Sequence, residues 1–292
     1  MKIGVFDSGY GGLTVFDGIH ASLPSYDYIY LGDNARTPYG SRSFETILRF
    51  TVECVDYLFQ QDCHLIVIAC NTASARALRN IQQKYLPGAY PDRRVLGVIR
   101  PSAEEMSQHT RTGTVAVWAT EGTVRSMSYQ LEMEKLAPRI SLVQQACPML
   151  VPLVEAGELE GPPVDYFVDK YWRETVRQAR DIDTLLLACT HYPLLADVIR
   201  ARLPHSVRLL VQSDFVPASL KDYLERHPEH ETRLSRNESC QFLTTDRSDT
   251  FDRLATVFLG YEVCSERIDL AGEESRNAAR FLAGDSNKVE LS

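Results

Sequence analysis

Two stretches decide the fold: LIVIACNTASARAL at residues 65–78 and DTLLLACTHYPLLADV at residues 183–198. Each is a strand-sized apolar run that ends in Ala-Cys, passes small polar residues and enters a helical pattern. A short, unbroken apolar run bounded in this way reads as a strand buried on both faces, in a parallel sheet covered by helices. A weaker echo links GVFDSGYGG at 4–12 to AVWATEGTV at 116–124, each a strand followed by a small or hydroxyl residue and a glycine. Buried parallel strands resemble one another by composition alone, but two echoes in one chain predict two similar α/β lobes that face each other.

Outward from these stretches, strands are expected at 2–6, 26–31, 95–99, 114–118, 140–143, 207–210 and 241–244. Helices are expected over 13–21, 43–60, 73–85, from 102, over 164–180 and over 250–258. The 43–60 span carries Phe44, Ile47, Leu48, Val52, Val55, Leu58 and Phe59 at helical spacing. Strand and helix alternate along the chain, so each lobe is predicted to be a mostly parallel sheet flanked by helices, with a cleft between the lobes. Polar residues dominate 222–240, which reads as an exposed excursion, and the tail beyond about Ala278 reads as polar and disordered.

The 292 residues are 44% hydrophobic and 24% charged with a formal net charge of −8, an ordinary globular composition. A duplex-coating surface would be basic, so no nucleic-acid partner is expected. No apolar run approaches the roughly 20 residues of a membrane span, and Asp7 interrupts any secretory h-region, so no membrane association is expected. Cys54, Cys63, Cys70, Cys147, Cys189, Cys240 and Cys264 are odd in number and widely spaced. They match neither a zinc pattern nor a disulfide framework, which points to a reducing cytoplasm and free thiols.

Gly9, Gly11 and Gly12 follow the first strand, but residue 14 is Thr, so the dinucleotide fingerprint is broken. The glycines suit a tight turn that lifts backbone N–H groups and the Ser8 hydroxyl toward an anion, and a carboxylate fits there as well as a phosphate. Asp7 stands at the strand end, where open α/β sheets place ligands.

Cys70 and Cys189 each stand between a strand and a helix start, an environment expected to lower a thiol pKa. A nucleophile, a metal ligand and an acid/base are all open to such a thiol. A metal would need more ligands than His191, and a nucleophilic hydrolase needs one thiol and one base. Two equivalent thiols on opposite sides suit inversion at a carbon acid: one removes the α-proton and the other delivers a proton to the opposite face. Ser8, Asn71, Thr72 and Thr190 are donors for a substrate carboxylate, Asp7 and His191 could each tune one thiol, and Glu155 is a further carboxylate near the rim. Cys54 and Cys264 read as small hydrophobes.

With these residues assembled, the chain resembles the glutamate racemases, the cofactor-independent members of the aspartate/glutamate racemase superfamily. FDSGYGGLTV at 6–15, YLGDNARTPYG at 30–40, ACNTASA at 69–75, ACPMLVPLVE at 146–155, ACTHYPLL at 188–195 and QFLTTDRSDTF at 241–251 carry the resemblance in order along nearly the whole chain. The resemblance implies a first lobe of about 1–97 completed by 210–275, a second of 98–209, a polar tail at 276–292, and an active site between the lobes. It implies interconversion of D- and L-glutamate without pyridoxal phosphate, metal or other cofactor, for peptidoglycan synthesis in a bacterial cytoplasm. The catalytic cysteines fall on Cys70, acting on D-glutamate, and Cys189, acting on L-glutamate, with Asp7, Glu155 and His191 in support. Substrate-binding positions fall on Asp7, Ser8, Tyr39, Gly40, Asn71, Thr72, Thr190 and His191. A homodimer is compatible with the family, whose oligomeric state varies. Two positions depart from the family pattern. Tyr10 stands where a small aliphatic residue is usual, and Asp214 replaces a glycine; both bear on lobe closure and rate. A racemase of aspartate or another acidic amino acid, or a weakly active binding paralogue, is the alternative.

Overall fold

In a computed structural model, which describes residues 1–270 and 276–285, the apolar runs become parallel strands with helices between them. In chain order they are β1 (Lys2–Asp7), β2 (Tyr28–Gly32), β3 (Cys63–Ile68), β4 (Arg94–Gly97), β5 (Thr114–Ala119), β6 (Ser141–Ala146), β7 (Thr184–Ala188), β8 (Arg208–Val211), β9 (Cys240–Thr244) and β10 (Ser265–Arg267). They form a six-stranded sheet in the order β10-β9-β2-β1-β3-β4 and a four-stranded sheet in the order β6-β5-β7-β8. Every pairing is parallel. The corresponding strands β3 and β7, one in each sheet, are buried along their whole length, as covered parallel strands must be.

The echo in the sequence is an echo in topology. Four consecutive strands in each half take the same order: second, first, third, fourth. Phe6 lies beside Ile68 in one sheet and Ala119 beside Ala188 in the other. The loop after the first strand therefore meets the loop after the third strand at the C-terminal edge of each sheet. That edge is the switch point at which open α/β sheets bind ligands.

Helix Phe44–Gln60 covers one face of the larger sheet with Ile47, Leu48, Val52, Val55 and Leu58, which pack in one core with Phe6, Leu31 and Ile66. Its start is capped by Ser43, whose Oγ accepts the Thr46 N–H at 3.2 Å. Helix Leu13–Ser22 covers the other face. The chain crosses between the sheets twice. Helix Ile99–His109 follows β4, and helix Gln212–Arg226 follows β8 and lies against both Leu13–Ser22 and Ile99–His109. β8 runs on to Val211, past the expected changeover at 209/210.

Three expectations need correction. The helix expected over 73–85 is broken: Asn71–Arg76 and Leu78–Asn80 give way to a π turn at Ile81–Tyr85, whose Tyr85 hydroxyl donates to buried Asp56. Residues 222–240 are mostly exposed, as expected, but they are not an unstructured excursion. They complete helix Gln212–Arg226, form helix Pro228–Glu231, and bury Leu224, His230 and Leu234. The tail contains helix Arg276–Asp285, with Ala278 buried and the Phe281 ring 5.2 Å from Tyr85; residues 286–292 lie outside the described residues. No described helix is long and apolar enough to cross a membrane.

Asp27 anchors the 222–240 segment. Its carboxylate accepts the N–H groups of Asn237 and Ser239 at 3.1 and 2.9 Å, the Asn237 amide at 2.6 Å and the Ser239 hydroxyl at 2.7 Å. Burial opposes its charge, but the bonds from Ser235, Ser239 and Asn237 outweigh burial and hold its carboxyl well below the usual range. A depressed folded value means that the carboxylate stabilises the fold fully above its unfolded value of about 4, and that this stability is lost as pH falls from there toward the folded value. Replacing Asp27 by Ala is expected to cost about 2–3 kcal/mol in urea unfolding at pH 7. Near pH 2 the difference from the unaltered protein should shrink; an unchanged difference there would exclude the ionised carboxylate as its source.

Candidate active site

The two sheets meet edge to edge at their C-terminal ends. Polar contacts among the loops join them: Thr190 Oγ1 donates to Asp7 Oδ1 at 3.2 Å, the Thr72 and Thr120 hydroxyls lie 2.9 Å apart, the Gly122 N–H donates to the Gly40 carbonyl at 2.9 Å, and Arg76 Nε donates to the Gly122 carbonyl at 3.0 Å. Cys70 and Cys189 lie at this junction, each one residue beyond an Ala that extends the third strand of its sheet or closes it. Both are almost fully buried.

Cys70 caps helix Asn71–Arg76, with the Ala73 N–H 3.4 Å from its sulfur, and the thiol hydrogen-bonds Ser8 Oγ at 3.2 Å. The helix start does not leave it a low-pKa thiol. Exclusion of solvent and the Asp7 charge push Cys70 up to about 12, against the pull of Ser8 and the Ala73 N–H. The sequence-based expectation of a depressed value fails here, because the opposite lobe removes the water that a thiolate needs.

His191 lies on the other side. Burial opposes its protonation, yet the neighbouring Cys189 and Glu155 side chains and the Asp7 charge raise it to about 10. Its Nε2 lies 3.3 Å from Glu155 Oε1, within ion-pair range but without hydrogen-bond alignment, so this buried nitrogen lacks a hydrogen-bond partner among the described residues. Asp7 is completely buried, and burial raises its carboxyl against the opposing effects of His191, the Gly9 and Gly12 N–H groups and Thr190. A positive ring thus faces two carboxyl groups and a thiol in a dry cleft.

The structure brings Asp7, Ser8, Gly40, Cys70, Thr72, Cys189, Thr190, His191 and Glu155 to this junction, with Glu155 on its exposed rim. Tyr39 and Asn71, expected as substrate-binding positions, have side chains engaged by other residues of the protein. The Tyr39 phenol donates to Asp33, and its ring packs beside Phe6 and Phe50, so only its backbone is left for the cleft. The Asn71 amide is engaged by Gln212 and Tyr129. Tyr10 stacks with Phe258 at 6.4 Å and lies 5.7 Å from Phe251, and Phe258 meets the His191 ring edge-on at 5.9 Å, so the departure at residue 10 props the His191 side of the junction. Asp214 is exposed in the first turn of helix Gln212–Arg226, where a negative charge suits the helix dipole. Sequence reasoning missed Thr120, which caps helix Glu121–Arg125, although the echo of 4–12 in 116–124 sets it in the place of Ser8. Among the described residues no group of three or more His, Cys, Asp or Glu side chains could hold a metal ion.

A Cβ on Gly11 would stand 2.5 Å from Thr190 Oγ1 and 2.7 Å from His191 Nδ1. Gly11→Ala is therefore expected to displace His191, lowering turnover at least tenfold while thermal unfolding shows a folded protein destabilised by about 1–3 kcal/mol. Turnover equal to the unaltered protein would disprove that packing. Peptide mass spectrometry after brief iodoacetamide treatment should find Cys70 almost unlabelled at pH 7 and increasingly labelled above pH 10; rapid labelling at neutral pH would contradict its raised value.

Comparison with known proteins agrees with this geometry. The Asp/Glu/hydantoin racemase family pattern matches residues 3–213. A glutamate racemase of Persephonella marina is 37% identical over 271 residues, 93% of this chain and 98% of its own. Among solved structures, a glutamate racemase isoform from Bacillus anthracis superposes with a TM-score of 0.83 at 34% identity, covering 92% of this chain and 97% of its own. The Francisella tularensis glutamate racemase, solved in complex with D-glutamate, gives a TM-score of 0.82 at 32% identity over 93% of this chain and 98% of its own. The chain belongs to the Asp/Glu/hydantoin racemase family, alongside the glutamate racemases.

Proposed function

We propose that this protein interconverts L- and D-glutamate by two-base proton transfer at Cα, without a cofactor, and so supplies D-glutamate for the peptide stem of peptidoglycan. The observation that carries the reading is the placement of Cys70 and Cys189 after the third strand of two units that share one four-strand order and meet at their C-terminal edges. The substrate carboxylate would be held by Ser8, Thr72, Thr190 and backbone N–H groups near Gly40, which also stabilise charge that develops on it as Cα loses its proton. Its ammonium group brings the positive charge that the dry Cys70 site lacks, which favours the Cys70 thiolate once substrate is bound. Cys70 then removes the α-proton from D-glutamate, and Cys189 protonates the opposite face; the reverse direction exchanges these roles. Asp7 holds Thr190 and the Cys70 side, while His191, kept charged between Cys189, Glu155 and Asp7, serves the other side.

In deuterium oxide either glutamate enantiomer should acquire deuterium at Cα as it turns over, with no protein-bound chromophore of the aldimine kind. Cys70→Ser and Cys189→Ser should each abolish racemisation, since an alcohol is a far weaker base than a thiol. A glutamate analogue with a β-leaving group needs only one base: Cys70→Ser should still eliminate from the L-like analogue and Cys189→Ser from the D-like one. Near-normal racemisation by either variant, or turnover of aspartate but not glutamate, would defeat the proposal.

A further inference from the structure

The residue after Cys70 is gripped by a side chain that none of the strand-end motifs contains. Asn71 Nδ2 donates to Gln212 Oε1 at 2.6 Å, and Gln212 Nε2 donates back to Asn71 Oδ1 at 3.1 Å. The same Gln212 nitrogen lies 2.9 Å from Ser102 Oγ and 3.2 Å from the Tyr129 hydroxyl, which itself donates to Asn71 Oδ1 at 2.7 Å. Asn71 and Gln212 are each 2% exposed, and Ser102 and Tyr129 are 0% exposed. Gln212 opens the helix after β8 of the smaller sheet, whereas Asn71 opens the helix after the Cys70 turn of the larger one. Gln212, at the second crossing of the chain, thus ties Asn71 of the larger lobe to Ser102 of the first crossing helix and to Tyr129 of the smaller lobe.

We infer that Gln212 is a positioning residue for proton transfer on the Cys70 side; the inference rests on the two-thiol reading above. Cys70 caps the helix that Asn71 begins, so a turn of the Asn71 residue carries the Cys70 sulfur away from Ser8 Oγ, now 3.2 Å distant. Two amides in a reciprocal pair fix that turn more firmly than one bond would, and a buried donor that loses its partner finds no water to replace it. Among the described residues no hydrogen bond joins Asn71 or Gln212 to the Cys189–His191 turn, so their direct bonds fall on the Cys70 side.

This asymmetry gives a test. The two enantiomers have equal free energy in water, so kcat/KM must fall equally in both directions whichever step is slowed. Isotope effects need not. Gln212→Leu, which keeps the volume and removes the donors, should lower kcat/KM for glutamate roughly ten- to a hundredfold. Its primary isotope effect with α-deuterated D-glutamate, whose proton Cys70 removes, should rise, and that with α-deuterated L-glutamate should fall toward one. Gln212→Glu should regain activity relative to the unaltered protein as pH falls, because burial raises the introduced carboxyl and its protonated form offers the missing donor. If the leucine variant fails to fold by circular dichroism, this pH ratio decides the matter. A folded leucine variant within twofold of the unaltered protein, isotope effects that move together, a shift toward the L enantiomer, or a pH-independent ratio would each overturn the role of Gln212. Absence of α-proton exchange by the unaltered protein would instead overturn the two-thiol reading, and this inference with it.

Discussion

The buried carboxyl of Asp7 ties the turn after the first strand to the opposite sheet. It accepts the Gly9 N–H at 2.9 Å within its own turn and the Thr190 hydroxyl at 3.2 Å across the junction. Gly12 packs against its Cβ with no room for a side chain, and Gly11 packs as closely on Thr190 and His191. The glycines are required here for close approach rather than for an unusual backbone angle. Without that approach the lobes would stand apart, water would enter, and the electrostatics of Cys70 and His191 would revert toward those of exposed groups.

That dryness has two opposite effects on the two sides. It disfavours charge on Cys70, beside which the Asp7 carboxyl stands and, among the described residues, no cation is recorded. It would also disfavour charge on His191, were the ring not surrounded by Cys189, Glu155 and Asp7. The junction is therefore unequal before substrate arrives, although the units beneath it share one four-strand order. A zwitterionic amino acid brings its own cation and anion into this inequality, so the ligand completes the charge balance that the protein leaves open.

The fold was legible from strand-end chemistry because covered parallel strands are continuous apolar runs, and because a repeated unit shows itself twice. IVIACNTAS and LLLACTHYP mark the third strand of each unit, and GVFDSGYGG and AVWATEGTV mark the first. Thr120 is present in that second echo, but a lone threonine after a strand has many ordinary reasons to be there. Gln212 leaves no trace in sequence: its partners Asn71, Ser102 and Tyr129 come from three distant segments that only the packed lobes bring together. The raised value of Cys70 was hidden for the same reason, since local sequence shows the helix start but not the lobe that excludes water. The terminal helix is a different case. Ala278, Phe281 and Leu282 have helical spacing, but the polar residues around so short a stretch mask it. The anchoring of 222–240 to Asp27 likewise pairs residues that lie far apart in the chain.

The double crossing of the chain between the sheets has a mechanical consequence. Two bodies joined by a single peptide segment can bend, twist and swivel about it. Here helices Ile99–His109 and Gln212–Arg226 follow the two crossings, pack side by side and share the Ser102–Gln212 hydrogen bond at 2.9 Å. Two parallel attachments along one edge suppress twist and leave one soft coordinate, rotation about that edge. Any rotation about that edge returns the same strand ends, and with them Cys70 and Cys189, to the same register.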